Sequence, residues 1–184
     1  LPGLFSAASI AAVETLGTLV LAGDRNRLFV LTPQLTQIGS LAIPVRALDA
    51  VRAFTADLDL DGGIDPASEA FDLAFVVEDA TQRLSIVDVS SPGSPSLIAA
   101  IPLGRSARDV VVDPVERLAY VGDDLGIQIV DVSNPLEAVG LLDANGDARD
   151  DRLLGRVAGA TASRSLALSR SGTHGYSGSS ATGE

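Results

Sequence analysis

The chain has 184 residues, 46% of them hydrophobic. That is enough for one sizeable core, and too apolar for the low-hydrophobicity, high-charge class of disordered chains. Its 24 acidic residues outnumber 13 basic ones, all of them Arg, giving a net charge of −11 and a pI near 4.4. A surface of that sign repels phosphate backbones and argues against nucleic acid as a partner. Cys is absent, which excludes disulfides, thiol nucleophiles and thiolate metal sites. Met is absent too, which reads as a mature product or an excised piece.

The first 23 residues, LPGLFSAASIAAVETLGTLVLAG, are apolar enough to suggest a membrane span or a signal peptide. Pro2, Gly3, Glu14, Gly17 and the missing basic leader oppose that reading. Setting this segment in register with a later unit, Ile10 on Val110 and Leu21 on Val121, turns it into two core strands at 8–13 and 18–23. No membrane span is then expected. Strands near 26–32 and 35–43 complete a first unit. A second unit takes strands 47–54, 72–78, 83–89 and 96–102. A third takes 107–113, 117–122, 126–132 and 137–142. Strand 163–169 and the stretch GYSG at 175–178 begin a fourth, and 179–184 reads as a flexible tail.

The units echo one another. LSIVDVSSP (84–92) and IQIVDVSNP (127–135) share six of nine residues, and AFVVED (74–79) answers AYVGDD (119–124). Each unit reads as short strands divided by turn residues, hence an antiparallel meander. One meander cannot bury both faces, so copies must stack, and the spacing suits propeller blades. The expected fold is all-β, with blades at about 8–43, 47–102, 107–142 and 163–178 of a partial propeller over 1–178. Three blades and part of a fourth fall short of closing a propeller, so the chain reads as a fragment of a larger one. Exposed blade edges would also allow self-association. Val110, Val112, Tyr120, Ile127, Ile129, Val130, Phe75, Ile86 and Val87 are expected to be mostly buried.

The segments Ala74–Asp79 with Leu84–Pro92, and Ala119–Asp124 with Ile127–Pro135, resemble the LVIVD repeat, a bacterial propeller-forming family. The resemblance implies a β-propeller with mostly non-catalytic, often surface-associated roles, and it supplies no catalytic residue.

Two acidic stretches carry the chemistry. DLDLDGGID places Asp57, Asp59, Asp61 and Asp65 at positions 1, 3, 5 and 9. DANGDARDD repeats that spacing with Asp143, Asn145, Asp147 and Asp151. Ca²⁺ takes roughly six to eight oxygen ligands, and alternate side chains of a tight loop converge on one point. Position 7, here Gly63 and Arg149, would offer its backbone carbonyl. The EF-hand pattern fails, since position 12 holds Ser68 and Leu154 instead of Glu. The D-x-D-x-D-G-x-x-D form is instead similar to the calcium loops of integrin-type propellers, which implies a site between the first two strands of a blade. The first stretch occupies that place. The second follows the strand expected at 137–142, so the two should lie toward opposite blade ends. Ordinary acidic turns use the same residues. Asp150 reads as a spare ligand or a solvated neighbour.

Asp88 and Asp131 recur inside IVDVS and are expected to accept backbone hydrogen bonds where strand enters turn. His174, the sole His, falls in a small-residue tail. GRSARD (104–109) has the charge to attract an anion but reads first as a strand-bordering turn. No nucleophile motif or phosphate loop stands out, so no catalytic residue is assigned. The expected function is a non-enzymatic, calcium-binding module, secreted or on the cell surface, for scaffolding or for recognising a protein or glycan. The alternative is the propeller portion of a larger secreted enzyme whose active site lies in other chain.

Overall fold

The structure is a computed structural model, which describes residues 12–56, 68–78, 80–135, 143–144, 146, 149–157, 162–169, 172 and 174–179. Regular structure among them is all strand. Blade 1 comprises β1 (Ala12–Leu16), β2 (Leu19–Gly23), β3 (Leu28–Leu31) and β4 (Gln37–Leu41). Blade 2 comprises β5 (Ala47–Thr55), β6 (Ala70–Glu78), β7 (Arg83–Asp88) and β8 (Ser96–Pro102). Blade 3 comprises β9 (Ala107–Asp113), β10 (Leu118–Asp123), β11 (Gly126–Asp131) and β12 (Leu153–Arg156). A two-stranded sheet follows, β13 (Ser165–Leu168) and β14 (Gly175–Gly178). Strands pair in chain order and antiparallel within every sheet. The fold is therefore three propeller blades and part of a fourth. No helix among the described residues is long and apolar enough to cross a membrane.

Blade 2 explains why its strands lack clean polar alternation. Phe75, Val77, Leu84 and Ile86 pack with Val110, Val112, Ala119 and Val121 of blade 3. Ala74, Val76 and Val87 pack the other way, with Leu21, Leu28 and Val30 of blade 1. A sheet buried on both faces needs apolar side chains at odd and even positions alike. The first strands of the blades run side by side, β1 against β5, β5 against β9 and β9 against β13. They form the inner wall, and the later strands step outward.

Blades close on one another where side chains are small. A Cβ on Gly23 would lie 2.3 Å from Cγ1 of Val45, whose amide donates to the Asp24 carbonyl at 2.7 Å. That bond ties the end of β2 to the linker entering blade 2. Gly122 of β10 meets Ser163 in the corresponding way, with the Ser163 amide on the Asp123 carbonyl at 2.9 Å.

The structure departs from sequence expectation in four places. Leu21 faces Glu14 in the ladder while Val121 faces Val110. Glu14, not Ile10, is thus the counterpart of Val110, because Gly17 at φ 60 forms a two-residue hairpin that shortens the unit. Ile10 lies outside the described residues. The outer strand of blade 3 is β12 at 153–156, beyond the second acidic stretch; 137–142 lies outside the described residues. Both acidic stretches therefore fall in connections, β5–β6 and β11–β12, that leave the blades from the same end. Finally Tyr120, Ile127 and Ile129 are half-buried. Tyr120 and Ile129 pair across the ladder on the face away from blade 2, and there only the short β13–β14 sheet packs among the described residues. Val110, Val112, Val130, Phe75, Ile86 and Val87 are buried as expected. Of the tail, only Ser179 lies within the described residues.

Candidate functional site

The carboxylates sort into three jobs. The first is to staple turns. Asp88 Oδ1 accepts the Ser90 amide and Asp131 Oδ1 the Ser133 amide, each at 2.8 Å. The two IVDVS aspartates are thus turn anchors, as the sequence suggests. Asp113 does the same for Val115 and Glu116, and Asp24 for Asn26 and Arg27.

The second job is to strap blade to blade. AVETL (12–16), ALDAV (47–51) and ARDVV (107–111) each place an acid third in the inner strand. Glu14, Asp49 and Asp109 all accept the amide of the following residue. Asp49 Oδ2 also accepts the Val112 amide on β9 at 2.7 Å, and Asp109 Oδ2 the Leu166 amide on β13 at 2.6 Å. Burial pushes the Asp49 carboxyl from 3.8 up to about 6, against the Val112 and Ala50 amides, and the charges of Glu14 and Asp109 push it the same way. Burial raises Asp109 as well, against its bonds to Leu166 and Val110. Sequence reading missed this set, although the recurring A-x-acid pattern carries its signal.

The third job is ion pairing around β12. Arg152 grips Asp150 through Nε on Oδ1 and Nη2 on Oδ2, both at 2.7 Å, with the two side chains 6% and 0% exposed. Asp150 is therefore a buried structural partner rather than a solvated neighbour. Arg156 pairs with Asp123 through Nη1 at 2.8 Å and through Nη2. Burial is the largest influence on the Asp123 carboxyl and raises it, but the Arg156 bond, the Leu125 amide and the charges of Arg156 and Arg105 together outweigh it, and the group titrates below its usual range. These pairs explain why β12 was illegible: Leu153 alone of its residues packs on the core, and Leu154 is 58% exposed.

Of the expected calcium ligands, Asp57, Asp59, Asp61, Gly63, Asp65, Asn145 and Asp147 lie outside the described residues. Asp143, Arg149 and Asp151 lie within them. Asp143 Oδ1 accepts the Gly146 amide at 2.6 Å, and Asp151 Oδ2 accepts the Ala144 amide at 2.7 Å. Positions 1 and 9 of that loop thus reach the same turn. Arg149 and Asp150 line a cavity of about 630 Å³ with Leu103, Arg105, Leu125 and Arg156. Among the described residues no three His, Cys, Asp or Glu side chains cluster as a metal requires. His174 is exposed in the β13–β14 turn, its amide on Ser169 Oγ at 3.0 Å.

Residues 72–101 and 104–137 match the LVIVD repeat. The first covers most of β6 through β8 and the second β9 through β11. The first LVIVD match begins just beyond the acidic stretch 57–65, and the second ends just short of 143–151. The β5–β6 connection runs over 56–69, whereas its counterpart β9–β10 needs only 114–117. Likewise β11–β12 runs over 132–152 and its counterpart β7–β8 over 89–95. Both acidic stretches are thus extensions of connections that the LVIVD blades otherwise keep short. No curated protein matches the chain in sequence. Among solved structures it is similar to the crystal structure of a functionally unknown protein from Desulfotomaculum acetoxidans DSM 771. The identity is 15% and the TM-score 0.34, over 66% of this chain and 51% of that one. The alignment spans about half the length of that protein.

Proposed function

We propose that this chain is a non-enzymatic recognition or scaffolding module, exported from the cell, in which Ca²⁺ stiffens the two acidic connections. The observation that carries the reading is their placement. Two D-x-[DN]-x-D stretches lengthen connections at one end of otherwise regular LVIVD blades. Turns that only join strands are held by single aspartates in neighbouring blades, so four acidic or amide side chains per loop exceed what a turn needs. Asp143 and Asp151 reaching one turn supports a loop closed on itself. A cation among these carboxylates offsets their mutual repulsion, and extracellular calcium is abundant enough to fill weak sites. Asp88 and Asp131, the recurrent acids, are engaged with backbone amides, which supports a structural rather than a catalytic role for them.

The test is thermal unfolding in excess chelator and then in millimolar calcium. Binding to the folded chain alone raises stability by roughly 2.7 kcal/mol at a hundredfold excess over Kd. Asp59→Ala and Asp147→Ala should each remove part of the shift. An unchanged midpoint, with no calcium by elemental analysis, returns both stretches to ordinary acidic turns.

A further inference from the structure

Three arginines come together at the end of the blades where the inner strands start. Arg46 immediately precedes β5, Arg108 is the second residue of β9, and Arg164 immediately precedes β13. The inner strands lie side by side, so these three residues fall at the starting end of the inner wall. There they line a cavity of about 430 Å³ with Leu48, Ala12 and Asp109. Arg46 also borders a second cavity, of about 570 Å³, beside Arg25, Gln82 and Ser106. This is the end opposite the connections that carry the acidic stretches.

Asp109 is the one acid among the lining residues, against three arginines. Asp109 accepts the Val110 amide on Oδ1 and the Leu166 amide on Oδ2, so both oxygens are engaged by backbone donors. Arg108 is held in place, Nε and Nη2 both on Asp124 Oδ1 at 2.9 and 2.7 Å, which fixes one wall in advance. Arg46 and Arg164 are exposed and make no side-chain ion pair among the described residues. In a chain of net charge −11, three arginines against one acid among the lining residues form a local reversal of the protein's field. Like charges so placed repel unless an anion sits between them. Guanidinium forks suit carboxylate and phosphate oxygens in particular.

We propose that the cavity bounded by Arg46, Arg108 and Arg164 binds a small polyanion, a molecule carrying two or more carboxylate or phosphate groups. Its volume lies in the range of small-molecule sites, roughly 300–1,000 Å³, and suits a compact ligand better than a chain. The apolar rim of Ala12 and Leu48 accommodates a short carbon skeleton between the charged groups. The field around the mouth selects anions that the rest of the surface rejects. This proposal is independent of calcium, since it uses the other end of the blades.

The test is calorimetric titration of the whole chain, at low ionic strength and without added calcium, with citrate in one arm and pyrophosphate in the other. A saturable, one-to-one heat is expected in at least one arm, and the arm that responds distinguishes carboxylate from phosphate ligands. Arg46→Gln and Arg164→Gln should each weaken it about tenfold or more, as expected for a lost charged hydrogen bond. Arg46→Lys should recover part of the loss by restoring charge without the fork. Arg52→Gln is the control, within β5 and six residues, roughly 20 Å, beyond Arg46. It should leave the affinity unchanged. Absence of binding to both anions overturns the proposal. So does an equal loss from Arg52→Gln, which would mean that net charge, rather than this cavity, attracts the ligand.

Discussion

Asp49 offers the sharpest test of how the blades are held together. Its carboxylate straps β5 to β9 while sitting half-buried between them, and it titrates at about 6 instead of 3.8. The folded chain holds this proton more tightly than the unfolded chain does. Stability therefore falls as pH rises from about 4 to about 6, and levels off above that. A displacement of about two pKa units at 1.36 kcal/mol each sets a ceiling of about 3 kcal/mol. Solvent contact trims this toward about 2 kcal/mol. Asp49→Asn keeps the shape and removes the titration. It also turns one amide edge toward a backbone donor, at a cost of about 1–2 kcal/mol that does not depend on pH. The assay is urea unfolding of both proteins at intervals from pH 4 to pH 7.5. The stability difference should move by about 2 kcal/mol in favour of the variant across that range, whatever its starting offset. A difference that stays constant with pH would refute the reasoning, because Asp49 would then titrate alike in folded and unfolded chains.

Other outcomes follow from packing and pairing. Phe75 is fully buried and edge-on to Phe54, ring centroids 5.7 Å apart; Phe75→Ala should cost about 3–5 kcal/mol, read as a lowered urea midpoint at every pH. Asp150→Ala leaves the buried Arg152 guanidinium without its bidentate partner and should cost about 3–5 kcal/mol. The paired replacement of Asp150 and Arg152 by apolar residues should cost less than the single change, and a double-mutant cycle measures the difference.

The sequence by itself determined the repeat and hence the architecture. Strands β8 and β9 fall at 96–102 and 107–113, where the pattern of apolar runs and turn residues places them. Asp88 and Asp131 were legible because a staple needs only local geometry, an acid two residues before the amide it accepts. The two acidic stretches were legible as spacing. What tertiary structure alone decided involves partners far apart in the chain. Asp49 bonds an amide 63 positions away, so nothing local marks it as a strap. β12 is fixed by Arg156 on Asp123 across the sheet and by the buried Asp150–Arg152 pair beside it, and a short strand with one core residue has no hydrophobic period to read. The hairpin at Gly17 shifts β1 by several residues, because a tight turn and a longer one look alike in composition but not in ladder register. The arginine cavity has the same origin. Arg46, Arg108 and Arg164 are unremarkable residues at three strand starts, and they become neighbours only because inner strands of successive blades stand side by side.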